Sequence, residues 1–126
     1  MPKHLAASLL VPYAVLIAWL SLREPGSVEV WFAYQDKIYH FIAYLVFAAI
    51  SAPLLVSKRA AFGILIGIFS YSMLMEVLQG LTASREPSFA DLAANLAGVS
   101  IGVISLRMSH ARLTGWLGRL GAGCCS

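Results

Sequence analysis

Four apolar runs take up most of this 126-residue chain, each close to the length that crosses a bilayer. At 1.5 Å per residue, a helix needs about 20 apolar residues to span a hydrocarbon core of about 30 Å. The runs are Leu5–Leu22, Lys37–Val56, Ala60–Gln79 and Ser88–Leu106. Lipid offers the backbone no hydrogen-bond partners, so such segments are helices rather than open strands. The chain is 60% hydrophobic and only 12% charged. A soluble fold of this size buries too small a fraction of its surface to hide that much apolar area. The expectation is an all-α integral membrane four-helix bundle with short loops. It comprises a transmembrane domain over residues 1–106 and a C-terminal tail over 107–126.

Local signals refine this plan. Lys3 followed by the first apolar run has the look of a signal peptide. The run is too long for one, however, and no A-x-A-like cleavage site follows it, so it reads as a retained span. Pro12 should kink it, and Pro53 falls near the end of the second run. Gly80 suits a helix C-cap. Glu24-Pro25-Gly26-Ser27 reads as a turn. Trp31, Phe32, Tyr34 and Tyr39 read as an interfacial aromatic belt. The link Ser57-Lys58-Arg59 is short enough to make spans two and three a helical hairpin, and Leu81–Pro87 returns span four antiparallel.

Orientation follows from the basic residues. Lys3, Lys58, Arg59, Arg107, Arg112 and Arg119 fall on one side, and Arg23, Lys37 and Arg85 on the other. The richer side is cytoplasmic by the positive-inside rule, so both termini face in. In the tail, Leu113, Trp116, Leu117 and Leu120 recur at helical spacing. This suits either a short helix on the membrane surface or a loose segment weakened by Gly115, Gly118 and Gly121. Cys124 and Cys125 fit neither a zinc spacing, nor a CxxC, nor a prenylation box. The basic residues form no run or stripe, so nucleic acid is not an expected partner.

This topology brings three helix ends to the extracytoplasmic face. Span two carries Asp36, Lys37 and His40 in its first turns. Span three carries Glu76 and Gln79 in its last. Span four carries Asp91 and Asn95, with Arg85 just before it. Side chains three and four apart share a helix face. Asp36 therefore aligns with His40 and Tyr44, Ser72 with Glu76 and Gln79, and Asp91 with Asn95, Gly98 and Gly102. Gly98 and Gly102 form a GxxxG pair, as do Gly63 and Gly67, and both pairs are expected at helix contacts. Structural roles compete with functional ones. Ser88 and Asp91 match a capping box, Asp36 suits a helix N-terminus, and Lys37 and Arg85 suit snorkelling. Glu76 resists such a reading, because a charge inside hydrocarbon costs at least about 2.5–3.5 kcal/mol unless it finds a partner, a proton or water. No HExxH or comparable spacing exists, so neither a metal nor another cofactor is expected.

Three ordered motifs resemble those of VanZ-like membrane proteins. Asp36-Lys37-Ile38-Tyr39-His40-Phe41-Ile42-Ala43-Tyr44 resembles D-K-x-x-H-F-x-x-Y, and Glu76-Val77-Leu78-Gln79 resembles E-x-x-Q. Arg85, Ser88, Asp91, Asn95 and Gly98 resemble R-x-x-S-x-x-D-x-x-x-N-x-x-G. The resemblance runs from about Asp36 to Gly102. That family is named for a protein linked to teicoplanin resistance, so the resemblance implies the cytoplasmic membrane of a bacterium and a role in its envelope.

Three activities fit these residues. The first is a non-catalytic site formed by Asp36, Lys37, His40, Glu76, Gln79, Arg85, Asp91 and Asn95. It would bind a lipid-linked wall precursor or a glycopeptide. The second is a membrane enzyme acting on a lipid-linked substrate, with Glu76 or His40 as the acid-base group. The third is a small proton-coupled transporter built around Glu76, which four spans would support best as a homo-oligomer.

Overall fold

The structure is a computed structural model that describes residues 2–23, 31–82 and 88–122, without the side chains of 110 and 113–122. The turn at Glu24–Ser27, Arg85 and the two cysteines lie outside the described residues. Among the described residues four α-helices follow in order: α1 (Lys3–Leu22), α2 (Gln35–Ile50), α3 (Lys58–Gly80) and α4 (Phe89–Ala122). The fold is all-α, as expected.

Three of these helices are long and apolar enough to cross a membrane: α1, α3 and the Phe89–Ser109 part of α4. The second run does not form one span-length helix. Its helix has 16 residues and stops at Ile50, where a 3-10 turn at Ala52–Leu54 takes over. Pro53 accounts for this, since it has no N–H to give and its ring collides with the carbonyl four residues back. At the other end, Tyr34 precedes α2 in the left-handed conformation with φ 70°. Such backbone is costly for a non-glycine residue, and it sets a sharp boundary for the helix.

The tail joins α4 without a break at Leu106. One helix of 34 residues runs to Ala122. At about 51 Å it is longer than the hydrocarbon core and extends beyond it. Ser57 caps α3, its Oγ accepting from the Ala60 N–H at 3.1 Å. On this same end of the bundle, Arg107 donates to the Leu55 carbonyl at 3.3 Å and fastens α4 to the link between α2 and α3.

The most extensive helix pair is α2 with α4. Its closeness comes from small residues. A Cβ on Gly98 would overlap the Phe41 carbonyl oxygen, and one on Gly102 would come within 2.6 Å of Ala48 Cβ. Gly63 and Gly67 behave differently from expectation. A Cβ on either would meet nothing within 4 Å. At about 100° per residue, they share the outer side of α3 with exposed Phe62, Ile66 and Leu74. The inward stripe is Ala61, Ile68, Ser72, Met75, Glu76 and Gln79.

The core gathers Ile17, Tyr44, Phe47, Ala48, Leu55, Ile68, Val99 and Val103. Phe47 meets Tyr13 edge-on at 5.4 Å and Tyr71 edge-on at 5.9 Å. Both tyrosines also use their hydroxyls. Tyr13 donates to the Ala43 carbonyl at 2.9 Å and Tyr71 to the Ala14 carbonyl at 2.5 Å. The rings thus bring α1 against α2 and α3 with aromatic area and a hydrogen bond together.

Candidate functional site

The first turns of α2, the last turns of α3 and the first turns of α4 bring their polar residues to one place. Lys37 is the hub. Its ammonium lies 2.6 Å from Asp36 Oδ2 and 2.5 Å from Asp91 Oδ1. The two carboxylates differ in setting, because the Asp36 side chain is 58% exposed and that of Asp91 only 12%. Asp91 Oδ1 is wholly removed from solvent and has this ion pair but no directional hydrogen bond. Its other oxygen faces His40 Nε2 at 3.9 Å.

His40 is held from behind. Its Nδ1 is 3.1 Å from Asn95 Oδ1, and the Asn95 amide nitrogen donates to Ser72 Oγ at 2.8 Å. With its NH2 spent on Ser72, Asn95 turns its Oδ1 to the imidazole Nδ1, and Nε2 is left facing Asp91. Asn95 and Ser72 are among the most deeply buried side chains of the protein. Such a chain of paired polar groups in a low-dielectric interior is rigid, since each unmade bond there is expensive.

Glu76 does not face lipid alone, as it is only 7% exposed. Its Oε2 accepts the backbone N–H of Ser88 at 3.2 Å. This alters the capping box read from the sequence. Ser88 Oγ does accept from the Asp91 N–H, at 3.4 Å. The reciprocal bond, from the Ser88 N–H to a side chain at Asp91, is instead made to Glu76. Asp91 is thereby released to Lys37 and His40. His40, Glu76 and Asp91 each offer a ligand atom, and these atoms lie within 4.8 Å of one another.

Of the residues expected in the cluster, Asp36, Lys37, His40, Glu76, Asp91 and Asn95 meet at this point. Gln79 is drawn elsewhere: its amide donates to the Ser21 carbonyl at 3.0 Å and ties α3 to the end of α1. Arg85 lies outside the described residues. Ser72 and Ser88 complete the site, and neither was among the residues named for it. Ser72 precedes Glu76 by one helical turn, which is the signal that placed it on the right face. No spacing in the sequence announces the Ser88 N–H, a backbone group.

Beside Glu76 the surface opens into a groove of about 440 Å³ between α3 and α4. Met73, Val77, Gly80, Leu81, Phe89 and Leu92 line it, with Glu76 and Ser88 as its polar end. Phe89 is 91% exposed at its rim.

Helices of membrane-crossing length around a buried, ion-paired polar cluster define a helical membrane protein with an internal polar site. The VanZ/LLP1 family model matches residues 5–110, and the chain belongs to that family. No curated protein and no solved structure matches it.

Proposed function

We propose that this protein binds a lipid-linked ligand of the bacterial envelope. The apolar chain lies in the groove between α3 and α4, and the polar group lies at the Lys37–His40–Glu76–Asp91 cluster. The observation that carries this reading is the groove itself. Its walls are hydrocarbon along their length and polar only at Glu76 and Ser88. That is the division of an amphiphile, and it matches the usual make-up of ligand pockets, mostly apolar with a few placed polar groups. The exposed side chains of Met73, Val77 and Phe89 put the opening on the outer surface of the bundle, where acyl or prenyl chains are the surrounding solvent.

In this reading the protein sits in the cytoplasmic membrane with both termini inside and the cluster near the outer leaflet. The residues serve binding rather than a reaction. The His40–Asn95–Ser72 chain positions the imidazole, and the Lys37 ammonium is the group that meets a phosphate or carboxylate of the ligand.

The test is photolabelling of the purified full chain in nanodiscs with a diazirine-bearing polyprenyl phosphate. Labelling should map to Met73–Leu81 and Phe89–Leu92 and fall several-fold in Val77→Trp, which fills the groove from an exposed position. Equal labelling of the wild type and Val77→Trp defeats this reading.

A further inference from the structure

We propose that His40, Glu76 and Asp91 form a binding site for a divalent transition-metal ion that accepts mixed nitrogen and oxygen donors, as zinc and manganese do. The three ligand atoms come from α2, α3 and α4 and already lie within 4.8 Å of one another. Four-coordinate zinc, with bonds of about 2.0–2.1 Å, sets its donors about 3.3 Å apart. His40 Nε2 and Asp91 Oδ2 stand 3.9 Å apart, so each donor closes on the ion with a small side-chain adjustment.

Two features point to a cation at this position. The first is the orientation of the His40 ring. Asn95 Oδ1, itself anchored through Ser72, lies 3.1 Å from His40 Nδ1 and orients the ring so that Nε2 points toward Asp91 Oδ2, 3.9 Å away. A metal-binding histidine is commonly fixed by a hydrogen bond to its other nitrogen in this way. The second is the carboxylate of Asp91. Nine-tenths of this residue is buried, its Oδ1 is paired with the Lys37 ammonium at 2.5 Å, and its Oδ2 is turned toward His40. Charge agrees with both. Among the described residues of the cluster, Asp36, Glu76 and Asp91 stand against the single ammonium of Lys37.

Lys37 is then the stand-in for the ion. Its ammonium neutralises Asp91 in the metal-free protein and moves aside when the metal arrives. Asp36 Oδ2, 2.6 Å away, keeps it paired as it leaves. The metal also gives an anionic headgroup a stronger counter-charge than the lysine alone. The site itself rests on the protein's own donors, whatever ligand fills the groove.

The test uses the full chain in detergent micelles without added lipid, in a Cys124→Ser/Cys125→Ser background so that the adjacent thiols contribute nothing. After chelator dialysis the protein is titrated with Co²⁺ and then with Zn²⁺. The expected result is a visible d–d band that saturates at about one equivalent and is erased by Zn²⁺. His40→Gln and Glu76→Gln should abolish the band. Asn95→Ala should weaken binding by roughly 10–100-fold, the usual loss when a ligand's orienting partner is removed. Lys37→Met should tighten binding, because the competing ammonium is gone. A wild-type protein without a saturable band overturns the proposal. So does an unchanged band in His40→Gln. If that variant fails to fold, Lys37→Met still decides, since weaker binding there than in the wild type contradicts displacement.

Discussion

The backbone N–H of Ser88 donates to Glu76 Oε2 at 3.2 Å, so the last turn of α3 caps the first turn of α4. A carboxylate at a helix N-terminus also faces the positive end of the helix dipole. This one bond explains how Glu76 is accommodated near hydrocarbon. It also explains why Asp91, three residues into its own capping pattern, is free to pair with Lys37.

The bond leads to a graded expectation for Glu76. Glu76→Gln keeps an acceptor for the Ser88 N–H and should fold. Glu76→Leu leaves that N–H without a partner, at a cost of about 1–3 kcal/mol. Thermal unfolding in detergent separates them, and equal melting of the two variants would show that the bond contributes nothing.

Glycine substitutions should divide by helix face. Gly98→Ala forces its new methyl onto the Phe41 carbonyl oxygen, a backbone atom that cannot swing away. A loss of about 1–3 kcal/mol is expected, with α2 and α4 driven apart. Gly67→Ala meets open space. It should gain up to about 1 kcal/mol from helix propensity. Melting curves of the pair check this, and a Gly67→Ala protein as damaged as Gly98→Ala would mean that α3 packs through its outer side.

The two carboxylates on Lys37 should not matter equally. Asp36 is mostly solvated, and its pair belongs with surface ion pairs worth less than about 1 kcal/mol, so Asp36→Asn should melt close to the wild type. Lys37→Met strips the buried Asp91 of its charge partner and should cost at least about 2 kcal/mol in metal-free protein. Urea unfolding in chelator is the measurement, and the expected order is Asp36→Asn well above Lys37→Met in stability.

Topology is open to direct measurement in intact cells. In a Cys124/Cys125-free background, single cysteines placed at Ser27 and Ser57 should behave oppositely toward an impermeant thiol reagent. Position 27 should label and position 57 should be protected. The reverse pattern would put the cluster on the cytoplasmic side.

Much of this protein was legible in its sequence because membrane helices are specified locally. A run of apolar residues, a proline or a helix cap acts over one or two turns, so the helical class and the starts of α3 and α4 followed from short windows. The face of each helix was also readable, since 3.6 residues per turn put Ser72 with Glu76 and Asp91 with Asn95. The early end of α2 depended on how strongly Pro53 broke the run. The run of α4 through residue 106 depended on a helix continuing past its apolar part. What only the tertiary structure decided was which partner each face met. Gly98 and Gly63 sit in the same GxxxG pattern, yet one abuts a backbone and the other open space, because the pattern permits close approach without creating a neighbour. Gln79 and Glu76 share a face, yet one reaches Ser21 and the other Ser88. The meeting of His40, Glu76 and Asp91 was expected from topology and helix faces, but their ligand atoms lying within 4.8 Å of one another was not. No local spacing encodes that closeness; it exists because helix packing brings those three ends together.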